Sequence, residues 1–475
     1  MMSTCISILR LLLPVLLLTG CVNYFGINTH KRLARPEHFP NQQSIPQMRG
    51  QWPRTDWANQ FGDPQLLCLI EEALAKNPDL ETTRARVKQA RAIAANTASS
   101  LFPAINWTTQ GYGGRLSRTL LPPFLGGGRW YTLGLFMYTL KYNLDLWGKN
   151  ISLLRQALSE EKVSLLSFEE AKLSLATAVA AAYNQLAYSY ALREVLQRTL
   201  AQRLAVNRLT ALRLQSGLDT RTQIYQSRNT VAAARTELKD IEGQILLTRQ
   251  QLGTLLGAGV DRGLRIKRPR FLVTKTPPLP SQLPLHLLGR RPDIVGALWR
   301  VRASCAGIAN MKAQFYPDIN LIAFGGFISF GLDRLFERAS TDYQFGPALS
   351  LPIFDAGALR AQLRQKYGIY EEAVAIYNST LNNALSDVAH QIAALQSNAQ
   401  QIQSQKEGLV SAERAYRVAR YQYQVGLTSQ LVVLDTETRV LNERKSRLQL
   451  LSSRRQLQIA LIQSLGGGFQ TCVNH

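Results

Sequence analysis

Cysteine, histidine and long apolar runs are all scarce in this chain, and each scarcity excludes something. Five of the 475 residues are cysteine and five are histidine. Cys68, Cys305 and Cys472 have neither metal-ligand spacing nor the density of a disulfide framework, and are expected to sit buried as small hydrophobes. His30, His38, His286, His390 and His475 are isolated in sequence, so no paired ligand or triad is suggested. The glycine clusters LGGGR and LGGGF lack the Lys-Ser/Thr of a phosphate loop, and neither H-E-x-x-H nor G-x-S-x-G occurs. No catalytic residue, metal site or cofactor is expected. After Asn23 there is no window of 18 apolar residues, so any further membrane crossing would have to be made of strands.

The apolar run that does exist is short. Leu11 to Leu18 is far below the ~20 residues of a spanning helix and fits the core of an export signal, with Arg10 before it. Leu18-Thr19-Gly20-Cys21 resembles a bacterial lipobox, which predicts a signal over 1–20 and an acylated Cys21 as the first mature residue. The acyl chains would anchor the protein, at ~0.8 kcal/mol per buried CH₂. The formal charge of +23 is spread along helical segments, as on solvated faces, with a preference for anionic partners such as lipid phosphates as the other reading. An export signal argues against nucleic acid.

What the chain has in plenty is itself. Shifted by 214 places, Asn77–Asn106 overlies Arg291–Asn320 without a gap, and 10 of the 29 positions from Pro78 onward are identical. Each copy opens a helix with Pro-Asp and stops it at an aromatic-Pro pair, Phe102-Pro103 and Tyr316-Pro317. Two hairpins of β-branched and aromatic residues follow, over 104–146 and 318–354, with the weak alternation typical of transmembrane strands. Long proline-free helical patterns come next, over 151–214 and 358–424; the first would reach roughly 95 Å at 1.5 Å per residue. A seven-residue seam runs through Ile151, Leu154, Leu158, Leu165, Phe168, Leu175, Val179, Ala182, Leu186, Leu196 and Leu200, interrupted by Glu161, Lys172, Ser189 and Arg193.

Each long pattern breaks at a glycine, Gly217 in a tip over 215–221 and Gly426 in a tip over 425–429. Return helices of about 36 residues by the same 3.6-residue periodicity then end at LLGAG and SLGGG. The helices before the hairpins are expected to be continuous from Gly62 and from Pro292. The domain reading is therefore an N-terminal acylated segment over 21–61, a first repeat over 62–267, a proline-rich connector over 268–284, a second repeat over 285–468 and a tail over 469–475. Four strands per chain cannot close a membrane barrel, since known single-chain barrels start at about 8; three chains would supply twelve. The expected fold class is α+β: a trimeric 12-stranded β-barrel continuous with a long α-helical barrel. A pore-less periplasmic coiled-coil lipoprotein is the competing architecture, and it has no need of hairpins placed alike in both copies.

From FGDPQLLCLIEEALAKNPDL (Phe61 to Leu80) to SLGGG (Ser464 to Gly468), and most specifically in LLGRRPDIVGALWRVRASCAGIANMKAQFYPDINL (Leu287 to Leu321), the sequence resembles the TolC-type outer-membrane efflux proteins, in their lipoprotein OprM/NodT branch. Trp299 departs from that signature, where a glutamate is expected. The resemblance implies a homotrimeric conduit in the outer membrane of a Gram-negative bacterium, docking at its periplasmic tips with an adaptor protein and an inner-membrane pump. Its cargo would be drugs and other toxic small molecules, or polypeptides in the type I secretion variant. It also implies a periplasmic aperture just after the second tip, where the pattern G-x-x-x-x-L-x-x-x-D recurs as Gly426, Leu431 and Asp435. Leu431 would form an apolar ring and Asp435 a carboxylate ring, with Tyr423 bonding to a neighbouring helix; Thr222 and Gln226 stand at the equivalent places of the first copy. Gly217, Leu218, Gly426 and Leu427 would meet the adaptor. Arg290 and Arg291 are expected to be structural.

Overall fold

The computed structural model describes residues 23–35, 51–119, 122–125, 127–271 and 287–470. Cys21, the signal, the connector from 272 onward and Cys472 lie outside the described residues. The first copy of the repeat forms helices α1 (Pro64–Lys76) and α2 (Pro78–Ser99), strands β1 (Ala104–Arg115) and β2 (Trp130–Asn143), and helices α3 (Lys149–Gln215) and α4 (Arg221–Leu255). A short α5 (Val260–Leu264) follows. The second copy forms α6 (Pro292–Ala313), β3 (Asp318–Phe330), β4 (Thr341–Ser350), α7 (Ala358–Gln424) and α8 (Gln430–Ser464). Corresponding helices match in length: α2 and α6 have 22 residues, α3 and α7 have 67, and α4 and α8 have 35.

The chain forms two compact units, each gathered from three stretches. One takes Met1–Leu33, Arg86–Ser164 and Gly296–Tyr377; the other takes Ala34–Ala85, Leu165–Val295 and Asn378–His475.

The first unit holds the sheet. All four strands pair antiparallel in the order β1-β2-β3-β4, so the hairpins of the two copies join through β2 and β3, with Phe136 opposite Phe327 and Leu140 opposite Ala323. Side chains alternate between two faces. One face carries Trp107, Trp130, Tyr138, Phe345 and Leu349, all exposed; the other carries Asn106, Thr108, Gln110, Thr139, Lys141, Asn320 and Gln344 at its ends and margins around an apolar middle. Residues that follow the lipobox in sequence are bonded into this unit. Arg360 donates to the carbonyls of Asn23 and Phe25. Tyr24 sits edge-on to Phe315 and its hydroxyl lies 3.0 Å from that of Tyr316. Thr29 donates to Glu371 at 2.6 Å.

The second unit holds the principal core. Leu66, Leu69, Ile70 and Ala73 of α1 pack with Val179, Tyr183 and Leu186 of α3, Ile245 and Leu252 of α4, and Ile459 and Ile462 of α8. Each fully buried Leu or Ile here contributes roughly 1.5–3 kcal/mol. Tyr183, in the middle of this core, donates to the Asp63 carboxylate at 2.6 Å and accepts from Gln65 at 2.8 Å, which satisfies its hydroxyl.

The expected continuous helix from Gly62 is instead two helices. Asn77, extended ahead of Pro78, breaks it and caps α2 by accepting from the N–H groups of Asp79 and Leu80. Its amide also donates to the carbonyl of Leu255, the last residue of α4, at 3.0 Å. In the second copy Arg291 stands in the place of Asn77 and donates to the carbonyl of Ser464, the last residue of α8, at 3.1 Å. Different side chains thus close the same helix end in each copy. Gly257 and Gly466, just past those ends, have φ of +66° and +88°, and a Cβ on either would fall within 2.4 Å of a carbonyl oxygen, that of Lys76 or of Arg290. This explains the glycines of LLGAG and SLGGG: the chain turns left-handed there against another backbone.

Two further expectations are corrected. The seam of α3 is buried at Val179, Ala182, Leu186 and Leu196, yet Leu158 and Leu165 are exposed, and Ser189, a polar interruption of the heptad pattern, is fully buried. Between Ala176 and Leu192 the helix is enclosed on several sides, which a single heptad seam does not capture. Cys68 and Cys305 are exposed rather than buried: α1 and α6 turn their larger apolar side chains inward, which leaves these small ones on the outer faces.

Candidate channel aperture and helical tips

Both tips reverse the chain by the same mechanism. Gly217 and Gly426 have φ of +72° and +78°. The N–H of the following leucine reaches back over the glycine, from Leu218 to the Arg213 carbonyl at 2.8 Å and from Leu427 to the Gln422 carbonyl at 2.7 Å. This is the Schellman closure of a helix by a left-handed glycine. It turns both leucines outward, 66% exposed at Leu218 and 77% at Leu427.

The tips differ in their side chains. In the first, Arg213 forms a two-bonded ion pair with Asp219 at 2.9 and 3.1 Å, and Thr220 and Gln223 form a capping box at the start of α4. The pairing holds the Arg213 guanidinium above its ordinary pKa. Gln422 and Thr428 occupy those two places in the second tip, so no ion pair is possible there, and Ser429 begins α8 without a side-chain cap bond.

Leu431 and Asp435 lie on the first turns of α8, four residues apart and both exposed, hence on one face. One turn further along that face is Arg439, whose guanidinium lies 3.4 Å from the Asp435 carboxylate. The carboxylate is therefore paired within its own helix, with a cation outside the apolar and acidic pattern of the aperture. The signal was present in the sequence as Asp435 and Arg439 at helical spacing. Tyr423 is exposed on the last turn of α7, and its hydroxyl has no bonding partner within the described residues. Thr222 and Gln226 are exposed at the matching positions of α4.

Arg291 is held between Asp293, at 2.7 and 3.1 Å, and Asp387, at 3.6 Å. Burial works against its charge, but the Asp293 pair outweighs this and raises its pKa. Arg290 lies 4.8 Å above the Trp52 ring. Both serve the packing of the second unit. Trp299, the departure from the family signature, is covered by the Arg302 guanidinium at 4.5 Å.

A cavity of about 360 Å³ opens where strands meet helices in the first unit, between the stacked rings of Trp147 and Tyr316 and the side chains of Lys149 and Asp318. Two more of its carboxylates, Asp145 and Asp355, cap α3 and α7 through backbone N–H groups. These groups are engaged in structure rather than poised for chemistry. Among the described residues no cluster of His, Cys, Asp and Glu could hold a metal ion, and no helix is long and apolar enough to cross a membrane.

The profile of the outer membrane efflux protein family matches residues 69–258 and 283–467. The multidrug resistance outer membrane protein MdtP of Escherichia coli strain K12 is 32% identical over 466 residues, 96% of this chain and 94% of that one. The fusaric acid resistance protein FusA of Burkholderia cepacia is 36% identical over 323 residues, 66% of this chain and 59% of that one. Among solved structures, the outer membrane protein VceC of Vibrio cholerae superposes with a TM-score of 0.80 at 34% identity, covering 88% of this chain and 100% of that one. Matched in both halves of its repeat, and along nearly its whole length by MdtP, the chain belongs to the outer membrane efflux protein family and is an efflux channel rather than an enzyme.

Proposed function

We propose that this chain is the outer-membrane conduit of a tripartite exporter, a homotrimer that carries toxic small molecules outward from a periplasmic adaptor and an inner-membrane pump. The observation that carries the trimer is the sheet. Four antiparallel strands leave β1 and β4 with unpaired edges, and one sheet face is aromatic and apolar. Open edges are not tolerated in lipid, because each unpaired N–H or C=O costs several kcal/mol there. Three copies pairing β1 to β4 give a closed barrel of twelve strands, and the long helices give each copy the reach to form a periplasmic tube. The names of FusA and MdtP, resistance proteins for fusaric acid and for multiple drugs, favour small organic compounds as cargo.

In this reading Cys21 carries lipid. The bonded segment after Asn23 holds that lipid close to the sheet, and Gly217, Leu218, Gly426 and Leu427 meet the adaptor. Leu431 narrows the resting aperture, while Asp435 and Arg439 form paired rings of opposite sign beside it. Passage is passive, driven by the pump. The test is export itself: a strain lacking its own outer-membrane efflux channels should regain resistance to planar aromatic acids and dyes when this chain is expressed with its adaptor and pump. Resistance unchanged, with the protein present as trimers in the outer membrane, would refute the cargo assignment.

A further inference from the structure

The loop end of the first hairpin is charged in one sense only. No acidic residue occurs between Glu81 and Asp145, yet Arg115, Arg118 and Arg129 fall at the strand ends and in the loop that joins them. The fold draws two of these together. Leu116 and Gly128 close the strand ends through an N–H of Leu116 to the Arg129 carbonyl at 3.1 Å and an N–H of Gly128 to the Leu116 carbonyl at 2.7 Å. Arg115 Nε then donates to the Gly128 carbonyl at 2.9 Å. The Arg118 side chain lies across the same residue, so close that a Cβ on Gly128 would sit 2.6 Å from its Nε. Two guanidinium groups thus converge on one glycine, and no carboxylate among the described residues pairs with either. The second hairpin is different: Arg334 and Arg338 are accompanied by Asp333 and Glu337, with Arg334 3.9 Å from Asp333.

The surroundings say what kind of anion fits. Arg115 stands opposite Trp130 in the β1–β2 register, on the aromatic, apolar face of the sheet. Trp130 is 78% exposed, and Phe124 in the loop is also exposed. This end of the hairpin is the one remote from α2 and α3 in chain connectivity, so in a channel of the outer membrane it emerges on the outer side. Exposed Trp at the limit of an apolar face sits at headgroup level, and Arg is the side chain best suited to bind phosphate through paired N–H groups. We propose that Arg115 and Arg118, arranged by Gly128 and flanked by Trp130, bind the phosphate of a phosphorylated glycolipid in the outer leaflet, one per chain.

The experiment is native mass spectrometry of the full-length purified channel, titrated in turn with a bis-phosphorylated lipid A, the same lipid dephosphorylated, phosphatidylethanolamine and inorganic phosphate. Wild type should take up one bis-phosphorylated lipid per chain and little of the other two lipids, and millimolar inorganic phosphate should not displace it. Arg115→Gln with Arg118→Gln should weaken that binding roughly twenty-five-fold, about a factor of five for each arginine near a charged lipid surface. Arg334→Gln with Arg338→Gln should leave it unchanged. Channel conductance of each variant reports folding independently of lipid. Equal binding by the folded Arg115/Arg118 variant, equal uptake of the dephosphorylated lipid, or displacement by free phosphate would each overturn the assignment.

Discussion

At the scale of single residues, the charges decide more than their number suggests. Arg291 is 12% exposed and bonds at once to Asp293, Asp387 and the end of α8. Arg291→Ala should therefore destabilise the fold by about 2 kcal/mol, because it leaves the partly buried Asp293 carboxylate and the Ser464 carbonyl without their charged donor; denaturant midpoints of the purified protein read this directly. Arg291→Asn should recover part of the loss, since asparagine does the equivalent work at position 77. Glu72 gives a pH prediction. The hydrogen bond from Arg262 is the main cause that holds its carboxyl below the usual range. A depressed folded pKa contributes stability that is present above the unfolded value and disappears as pH falls through the folded one. Glu72→Gln should thus lower the melting temperature at pH 7, and that loss should shrink as pH falls below about 4, at the lower edge of the ordinary carboxylate range; melting curves across the acid range check this.

At the scale of elements, the fold was legible where a backbone rule left a mark in the sequence. Gly217 and Gly426 announce reversals, Pro78 and Pro292 announce helix starts, and the structure has both turns and both helices. The strand hairpins were legible too, through aromatic and β-branched content. Less legible was anything that depends on partners distant in sequence. Asn77 and Arg291 differ in size and charge, yet each donates a side-chain N–H to the carbonyl that ends a return helix. The exposure of Leu158 and of Cys68 likewise follows from which neighbours surround a helix, and a heptad count holds no such information. Gly217→Ala and Gly426→Ala should each cost about 1 kcal/mol through the left-handed φ alone. Asp219→Asn, by removing the Arg213 pair, should loosen the first tip without affecting the second. Amide exchange at Leu218 and Leu427 distinguishes the two effects.

At the scale of the whole molecule, the proposed aperture rests on Leu431 and Asp435, exposed on one face of α8. Leu431 and Asp435 stand out by pattern, and Arg439, four residues further along the helix, lies 3.4 Å from the Asp435 carboxylate. In the proposed trimer, Asp435 and Arg439 would form stacked rings of opposite charge beside a ring of Leu431, and such a pore would have weak ion selectivity at rest. Arg439→Ala should then raise cation preference, and Asp435→Ala should lower it. The most direct measurement of the account is single-channel recording of the full-length protein in a planar bilayer, wild type against Leu431→Ala with Asp435→Ala. The account predicts small, rare openings for wild type and a several-fold larger resting conductance for the double variant, with Thr222→Ala plus Gln226→Ala close to wild type. Equal conductance in all three proteins would contradict an aperture formed by the second tip, and absence of conductance in every one would contradict the conduit.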